Sequence, residues 1–326
     1  MRVVFMGSGA FGLPTLQRLA QAAGVEIPLI VSQPDRPAGR GKVLTPTPVA
    51  AWALAEGRHL IRHDNINDSA GLQAIAQARP DVLVVIAFGQ KLSPELLHLA
   101  PHGGINLHSS LLPKYRGAAP IHWAILNDDR ETGVSVIRVT EIMDGGDVLA
   151  RVATPIGPEE TTGSLHDRLA HLGAPLINQV LEAIRTDTLQ PETQNLTQAS
   201  KAPKLQRTVA WVDFNAPARA VSAKIRGLSP WPGIAVQVCQ PDGLVRTQAT
   251  LLTVRVEAEQ GNLGRPGQFI DSGCVACGQG SVRILALQPQ GKKALNMENF
   301  VNGYGVQAGW SLQSVLTPPV PEKVSV

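Results

Sequence analysis

The sequence predicts an α/β protein in two parts: a Rossmann-like, doubly wound and mostly parallel sheet, followed by a small β-barrel of OB-like type. In residues 1–189, short apolar runs alternate with amphipathic helical segments, as a parallel sheet covered by helices requires. In residues 207–316, strand-like runs are separated by glycine, proline and aspartate, which is typical of a small barrel. Residues 190–206 are polar and lack an apolar period, which indicates a linker.

The predicted elements follow from apolar periodicity. Candidate buried strands of the first part lie at 2–6, 26–32, 81–87, 104–108 and 133–139. Amphipathic helices are predicted at 13–21 and 70–78, and the clearest helix is 162–185, where apolar residues recur at helical spacing. The second part begins with a predicted helix at 216–226, and its strands are predicted at 234–239, 245–252, 267–270 and 281–287.

The length and composition bound the class of protein. A chain of 326 residues can form two hydrophobic cores, and 44% hydrophobic with 17% charged residues is ordinary for a globular protein. No apolar run reaches the ~18 residues of a membrane span, and the N-terminus lacks a secretory signal pattern. We therefore expect a cytoplasmic protein with no membrane partner, and a proline-rich tail at 317–326.

The net charge of +3 is unevenly distributed along the chain. From Ser200 onward there are 13 Lys and Arg against 7 Asp and Glu, whereas the preceding residues have 16 against 19. A basic second half favours a polyanionic partner, because cationic surface attracts phosphates. A basic face that is merely solvated is at least as common on charge alone, so both interpretations remain open.

The three cysteines are too few for a disulfide framework in a chain of this length. Cys274 and Cys277 have CxxC spacing, which is compatible with a zinc ligand pair or a redox pair. A zinc site would need two further soft ligands nearby, and a redox pair would lie between a strand and a helix. The sequence offers neither, so we expect two small buried side chains.

A glycine-rich segment at residues 7–12 is a literal G-x-G-x-x-G between a predicted strand and a predicted helix. With Asp35 about 20 residues further on, the pattern is typical of a dinucleotide site. Asp35, however, lies in a loop of turn residues and positive charges instead of at a clean strand end. An NAD(P)-dependent oxidoreductase is therefore retained as a rival function.

Residues 104–120 contain the side chains that best fit a reaction. The segment begins as a strand, and Asn106 and His108 lie on the same face because alternate residues of a strand point the same way. The carboxyl ends of strands in an open α/β sheet are where ligands bind. Asp144 precedes two glycines that would turn the chain, but spacing alone leaves open whether it meets the other two residues.

Asn, His and Asp together suffice for acyl transfer to an amine without a covalent nucleophile or a metal. An amide and an imidazole can stabilise the oxyanion of a tetrahedral intermediate, and a carboxylate can orient the imidazole and assist proton removal. Each residue alone also has an ordinary structural interpretation, as a turn former, a cap or a core histidine. The pattern therefore gives a hypothesis of acyl transfer.

The same segments resemble the 10-formyltetrahydrofolate-dependent formyltransferases. The resemblance rests on Asn106-x-His108, on Ser-Leu-Leu-Pro at 110–113 with Tyr-Arg-Gly at 115–117, and on Asp-Gly-Gly-Asp at 144–147. Supporting similarity at 31–42, 120–121, 229–233 and 287–293 extends it over nearly the whole chain. Within the family, the similarity is to the branch that formylates the α-amino group of methionine on initiator tRNA.

The resemblance implies roles for individual residues. Asn106 and His108 would hold the formyl oxygen in the transition state, and Asp144 would pair with His108 and help remove the amine proton. The implied folate pocket comprises Phe88, Gly89, Gln90, Ser110, Leu111, Leu112 and Pro113. The implied tRNA contacts are Arg36, Arg40 and Lys42 in the loop 33–47, with Lys204, Arg207, Lys292 and Lys293 further along. The co-substrate would be 10-formyltetrahydrofolate, with no metal, no stable protein partner and a monomeric state.

Two departures from the family pattern affect these expectations. Gly9-Ala10 stands where the family usually has Pro-Asp or Pro-Glu after the first Gly-Ser or Gly-Thr. This change creates the dinucleotide-like fingerprint. The usual lysine-rich linker is reduced to Lys201, Lys204 and Arg207. A formyltransferase acting on a small amine such as an amino sugar remains the alternative within the family.

Overall fold

The computed structural model describes residues 1–39 and 41–317, and the chain divides into two compact units. Unit 1 comprises Met1–Gly117, Gly133–Thr154 and His166–Ala202; unit 2 comprises Ala118–Thr132, Pro155–Leu165 and Pro203–Val326. Two short stretches of the first half thus pack with the C-terminal part. The domain boundaries 1–189, 190–206, 207–316 and 317–326 stay predictions, and 318–326 lie outside the described residues.

The strands of the first half form a seven-stranded sheet and a separate hairpin. In chain order they are β1 Arg2–Gly7, β2 Glu26–Ser32, β3 Arg36–Ala38, β4 Val43–Thr45, β5 Leu60–Arg62, β6 Val82–Ile86, β7 Gly104–His108, β8 Glu131–Arg138 and β9 Val148–Pro155. The sheet order is β5-β2-β1-β6-β7-β8-β9, with β7 and β8 antiparallel and the strands from β5 to β7 parallel. The strand order reverses between β1 and β6, the position where open α/β sheets bind ligands.

Six α-helices occur in the same part of the chain, and one of them, α5, belongs to unit 2. They are α1 Leu13–Gln21, α2 Pro48–Ala55, α3 Ser69–Ala78, α4 Pro94–Leu97, α5 Pro120–Leu126 and α6 Thr162–Arg185. Thr47, Asp68 and Ser93 cap α2, α3 and α4 by accepting from a backbone N–H of the first turn, which fixes where each helix begins. Within residues 1–39 and 41–317, no helix has the length and apolar character that a membrane crossing requires.

Unit 2 contains helix α5 and a six-stranded antiparallel sheet with two further α-helices. Its elements are α7 Ala218–Gly227, β10 Ile234–Cys239, β11 Val245–Ala258, β12 Cys274–Ala276, β13 Ser281–Pro289, β14 Leu295–Asn296, α8 Met297–Tyr304 and β15 Ser311–Ser314. The sheet order is β12-β13-β11-β10-β15, with β14 on β13. The core beneath it includes Val221 and Ile225 of α7 with Val236, Leu251 and Phe300.

The predicted fold class is confirmed: a mostly parallel α/β sheet precedes an antiparallel, half-barrel sheet. The central strands β1 and β6 are buried almost throughout, which is why their sequences read as continuous apolar runs. The hairpin of β3 and β4 lies within the predicted loop 33–47, and its strand residues are all exposed, so no apolar alternation marks it. The predicted strand at 267–270 forms only isolated bridges, and the neighbouring strand is β12.

The three cysteines are free and buried, which confirms the expectation of small buried side chains. Burial raises the pKa of the Cys277 thiol to about 12 and also raises the pKa values of Cys239 and Cys274. Because the thiolate is the reactive form, we expect the native protein to resist a thiol-specific reagent near pH ~8 and to react at all three positions once unfolded. Labelling of native protein as fast as unfolded protein, measured by absorbance, would contradict this.

Candidate active site

Strand β7 places two of the predicted catalytic residues at the carboxyl end of the sheet. Asn106 and His108 lie two residues apart on β7, between the parallel neighbour β6 and the antiparallel neighbour β8. His108 is 6% exposed, and Asn106 is half-buried. Their strand neighbour Leu107 belongs to the opposite face, where it lies within contact distance of the α6 residue Gly173. The alternation predicted from sequence is therefore present.

The imidazole of His108 lies between two oxygen acceptors. Its Nε2 is 2.9 Å from the backbone oxygen of Tyr115, and its Nδ1 is 3.6 Å from Oδ1 of Asp144. Because a carbonyl oxygen can only accept, Nε2 carries the proton in this contact. The Nδ1 edge then faces the carboxylate of Asp144. The structure thus brings His108 and Asp144 together.

Asp144 is held in an unusual backbone conformation. Its φ of 53° lies in the left-handed region, which residues other than glycine rarely adopt. Its Oδ2 accepts from the backbone N–H of Gly117 at 2.8 Å, and only 15% of its side chain is exposed. A Cβ on Gly146 would lie 1.9 Å from the backbone oxygen of Arg138, so the turn packs directly on the end of β8. The turn therefore directs one carboxylate oxygen to the backbone and the other to His108.

The side-chain amide of Asn106 has no hydrogen-bond partner among the described residues, although the residue is half-buried. A half-buried amide without a protein partner is suited to donate to a ligand oxygen. The described residues also contain no group of three or more His, Cys, Asp and Glu side chains able to hold a metal ion. The chemistry that this set can perform is stabilisation of a developing oxyanion and proton transfer.

The segments predicted to contact folate flank these residues, and several of their polar groups have partners within the chain. Ser110 is fully buried and donates to the backbone oxygen of Lys114 at 2.6 Å. The amide of Gln90 bonds the backbone of Ile66 and His63. Of the other predicted pocket residues, Phe88 and Leu112 are buried, Leu111 and Pro113 are partly buried, and Gly89 has a positive φ of 84°. Contact of these residues with folate stays a prediction.

The glycine-rich segment at 7–12 is engaged by the protein itself. The backbone N–H groups of Ser8 and Gly9 both donate to the backbone oxygen of Ala87, at 3.2 and 3.3 Å. A dinucleotide site would use such N–H groups to bind pyrophosphate. Asp35, the candidate ribose ligand, forms an ion pair with Arg62 at 2.7 Å. The fingerprint therefore reflects close packing of the loop on β6, and these contacts weigh against the oxidoreductase.

The predicted tRNA-contacting residues are exposed wherever the structure describes them. In unit 1, Arg36 and Lys42 lie on the hairpin of β3 and β4, and Arg40 between them lies outside the described residues. In unit 2, the exposed residues are Lys204, Arg207, Lys292 and Lys293. The Lys292 ammonium lies 5.3 Å from the centre of the Tyr304 ring. Exposure of this kind leaves the positive charges accessible, and their tRNA contacts stay predictions.

Sequence reasoning did not identify two polar residues that bond the loops around His108. Gln194 and Ser200 lie in the segment predicted as a linker, yet Gln194 is only 6% exposed. Ser200 accepts from the backbone N–H of Tyr115 at 2.9 Å, and Gln194 contacts the turn that carries Asp144. A linker segment rich in Thr and Gln gives no periodic signal for such contacts. These contacts form only in the folded chain.

Comparison with known protein families matches both parts of the chain. Residues 1–181 match the formyl transferase family model, and residues 204–305 match the model of the formyl transferase C-terminal domain. The first match alone covers more than half of the chain and includes Asn106, His108 and Asp144.

Curated relatives and solved structures agree with these matches. A methionyl-tRNA formyltransferase of Citrifermentans bemidjiense is 39% identical over 95% of this chain and 95% of its own length. One of Ruegeria pomeroyi is 42% identical over 96% of this chain and all of its own. Among solved structures, the sugar 3N-formyl transferase WlaRD has a TM-score of 0.62 at 14% identity, covering 90% of this chain and 99% of its own, which shows a shared fold. On the basis of the family models and these relatives, the chain belongs to the formyl transferase family.

Proposed function

We propose that this protein transfers a formyl group from 10-formyltetrahydrofolate to the α-amino group of methionyl initiator tRNA in the cytoplasm. The observation that carries the proposal is the similarity, over nearly the full length, to methionyl-tRNA formyltransferases. The similarity includes both the catalytic part and the C-terminal part of the chain. A protein that shared only the catalytic domain would not match in the C-terminal part. The geometry around His108 supports the same type of reaction.

The reaction forms one bond and breaks another at the formyl carbon. The neutral α-amino nitrogen of methionine attacks this carbon, and the bond from the carbon to the folate nitrogen breaks after a tetrahedral intermediate has formed. The attacking nitrogen loses a proton, and the folate nitrogen gains one. An α-amino group has a pKa of ~8, so a useful fraction of it is neutral near pH ~7.

The three residues at the end of the sheet have groups suited to each step. Asn106 offers an unpartnered amide N–H to the formyl oxygen as its negative charge develops. His108 offers an imidazole for the proton in transit, and Asp144, 3.6 Å from Nδ1, orients the ring. A covalent enzyme intermediate is unnecessary, because the amine attacks the formyl group directly.

A folate co-substrate fits the surroundings of these residues. Phe88 and Leu112 provide buried apolar side chains, whereas Gly89 has backbone that a ligand can approach closely. Some solved structures of similar fold contain folates: HypX of Aquifex aeolicus was crystallised with tetrahydrofolic acid, and WlaRD in the presence of 5-N-formyl-THF. In this proposal, residues 88–90 and 110–113 line the folate pocket of this chain.

The decisive experiment is a formylation assay with purified protein, methionine-charged initiator tRNA and 10-formyltetrahydrofolate. We expect formyl-methionyl-tRNA to accumulate, and to do so only when all three components are present. A nucleotide-linked amino sugar replaces the tRNA in one arm, because sugar formyltransferases share the fold. Turnover of the sugar without turnover of the tRNA would overturn the proposal and favour the alternative substrate.

The loop at 33–47 provides a test of the tRNA contact. Arg40→Ala removes a positive charge from a glycine-containing segment that we assign to the tRNA acceptor end. We expect the KM for tRNA to rise about 10-fold, because phosphate contacts contribute to affinity, while the KM for folate is unchanged. Arg246→Ala, an exposed arginine of unit 2 outside the proposed contacts, is the control. An unchanged KM for tRNA in Arg40→Ala would exclude this role of the loop.

A further inference from the structure

We propose that Gln194 is a positioning residue of the formyl-transfer site, holding the turn that carries Asp144 against the loop that follows His108. The inference rests on the proposed function, because it assigns a role within that reaction. Gln194 lies in the segment between α6 and the end of unit 1, and it is 6% exposed. All the contacts that support the proposal lie within unit 1.

The side-chain amide of Gln194 uses both of its ends. Its Nε2 donates to the backbone oxygens of Asp144 at 2.9 Å and of Gly146 at 2.6 Å. Its Oε1 accepts from Nη2 of Arg116 at 2.7 Å and from Nε at 3.2 Å. One buried side chain therefore connects the two segments that meet at His108: the turn at 144–146 and the loop containing Arg116.

The chemistry of these contacts requires an amide. The backbone oxygens of Asp144 and Gly146 need a donor, whereas the guanidinium of Arg116 needs an acceptor. Among side chains of this length, only glutamine offers both. A glutamate would still accept from Arg116 but would place an oxygen against the backbone oxygens of Asp144 and Gly146. A methionine would fill the space and provide neither bond.

The segment that contains Gln194 also bonds the backbone of the loop around Arg116. The backbone N–H of Arg116 donates to the backbone oxygen of Ser200 at 2.8 Å. The backbone N–H of Ala202 donates to the backbone oxygen of Arg116 at 2.7 Å. These bonds place Gly117, whose N–H donates to Oδ2 of Asp144. Since Gly117 binds one carboxylate oxygen and Gln194 binds the backbone of the same residue, together they set the 3.6 Å separation of Asp144 and His108.

Three variants test the proposal in the full chain. Gln194→Glu keeps the bonds to Arg116 and loses the donor to the turn; Gln194→Met is a neutral variant in case the charge prevents folding. Gln198→Ala is the matched control, because Gln198 is an exposed glutamine of the same segment. The measurements are kcat, both KM values, and amide hydrogen exchange over residues 115–118 and 143–147.

We expect kcat to fall about 10- to 100-fold in Gln194→Glu with both KM values within about threefold, since a misplacement of ~1 Å can cost that much. In an Asp144→Asn background the same change should cost less than about threefold, because Gln194 acts through Asp144. Equal losses in both backgrounds would overturn the positioning role, since a general loss of structure would lower both alike.

Hydrogen exchange separates this inference from the proposed function. We expect exchange over 115–118 and 143–147 to accelerate in Gln194→Glu and Gln194→Met but not in Gln198→Ala, whether or not the wild type formylates tRNA. Unchanged exchange in both Gln194 variants would refute the inference even if the wild type is an active formyltransferase. If the wild type does not formylate tRNA but exchange is accelerated in both Gln194 variants, the proposed function is refuted. The structural link made by Gln194 is then still supported.

Discussion

Replacing Asn106 or His108 by alanine is expected to lower the rate of formyl transfer by at least ~100-fold, because Asn106→Ala removes a hydrogen-bond donor to the developing oxyanion and His108→Ala removes the imidazole that pairs with Asp144. Asn106 is half-buried with no partner in the described part of the chain, so its truncation disturbs no internal hydrogen bond. His108 also bonds the backbone oxygen of Tyr115, so its truncation additionally loosens the loop. We therefore expect the larger loss in His108→Ala.

The measurement is single-turnover formylation of charged initiator tRNA with saturating folate, which isolates the chemical step. His98→Ala is the matched control, because His98 is an exposed histidine of the same unit. Thermal unfolding of each variant checks that the fold is retained. Activity within about tenfold of the wild type in both Asn106→Ala and His108→Ala would remove these residues from the chemistry.

Changing Asp144 to asparagine is expected to lower kcat by about 100- to 10,000-fold with little change in stability. The isosteric amide can still accept from the N–H of Gly117 through its oxygen, so the turn is preserved. It cannot stabilise a positive charge on His108, whose Nδ1 lies 3.6 Å from the carboxylate. Loss of the carboxylate from an imidazole–carboxylate pair can cost up to ~10⁴-fold in kcat.

Asp147→Asn provides the control within the same turn. The Asp147 carboxylate accepts from the hydroxyl of Thr193 at 3.0 Å, a bond that an amide oxygen can also accept. We expect kcat for this variant to stay within about threefold of the wild type. Equal losses in Asp144→Asn and Asp147→Asn would show that the turn needs carboxylates for its shape, and the pairing with His108 would no longer explain the effect.

The sequence predicted the fold and part of the site because both depend on local periodicity. Asn106 and His108 share a strand face by simple alternation along the short strand β7, Gly104–His108. Asp144 lies 36 residues further along, and periodicity does not reach that far. Its contact with His108 depends on antiparallel pairing of β7 with β8 and on a left-handed turn, which no local pattern specifies.

The glycine fingerprint shows the opposite outcome, in which a strong local pattern has a different physical cause. A Cβ on Gly7 would lie 2.9 Å from the backbone oxygen of Ile86, and one on Gly9 would lie 3.1 Å from Cβ of Ala87. The glycines are therefore needed because β1 and the loop after it pass very close to the end of β6. A glycine motif indicates that the backbone approaches another group closely, but it does not specify whether that group is a ligand or another part of the chain.

The bonds from Gln194 and Ser200 also determine when the nascent chain can first assemble this arrangement. Ribosomes add about 5–20 residues per second, and Ser200 lies 94 positions after Asn106, so this stretch takes about 5 to 20 s to synthesise. During that interval the growing polypeptide contains His108 and then Asp144 but not the residues that hold their loops together. An enzyme of translation would thus acquire its own ordered catalytic centre only after roughly the first 200 residues had been made.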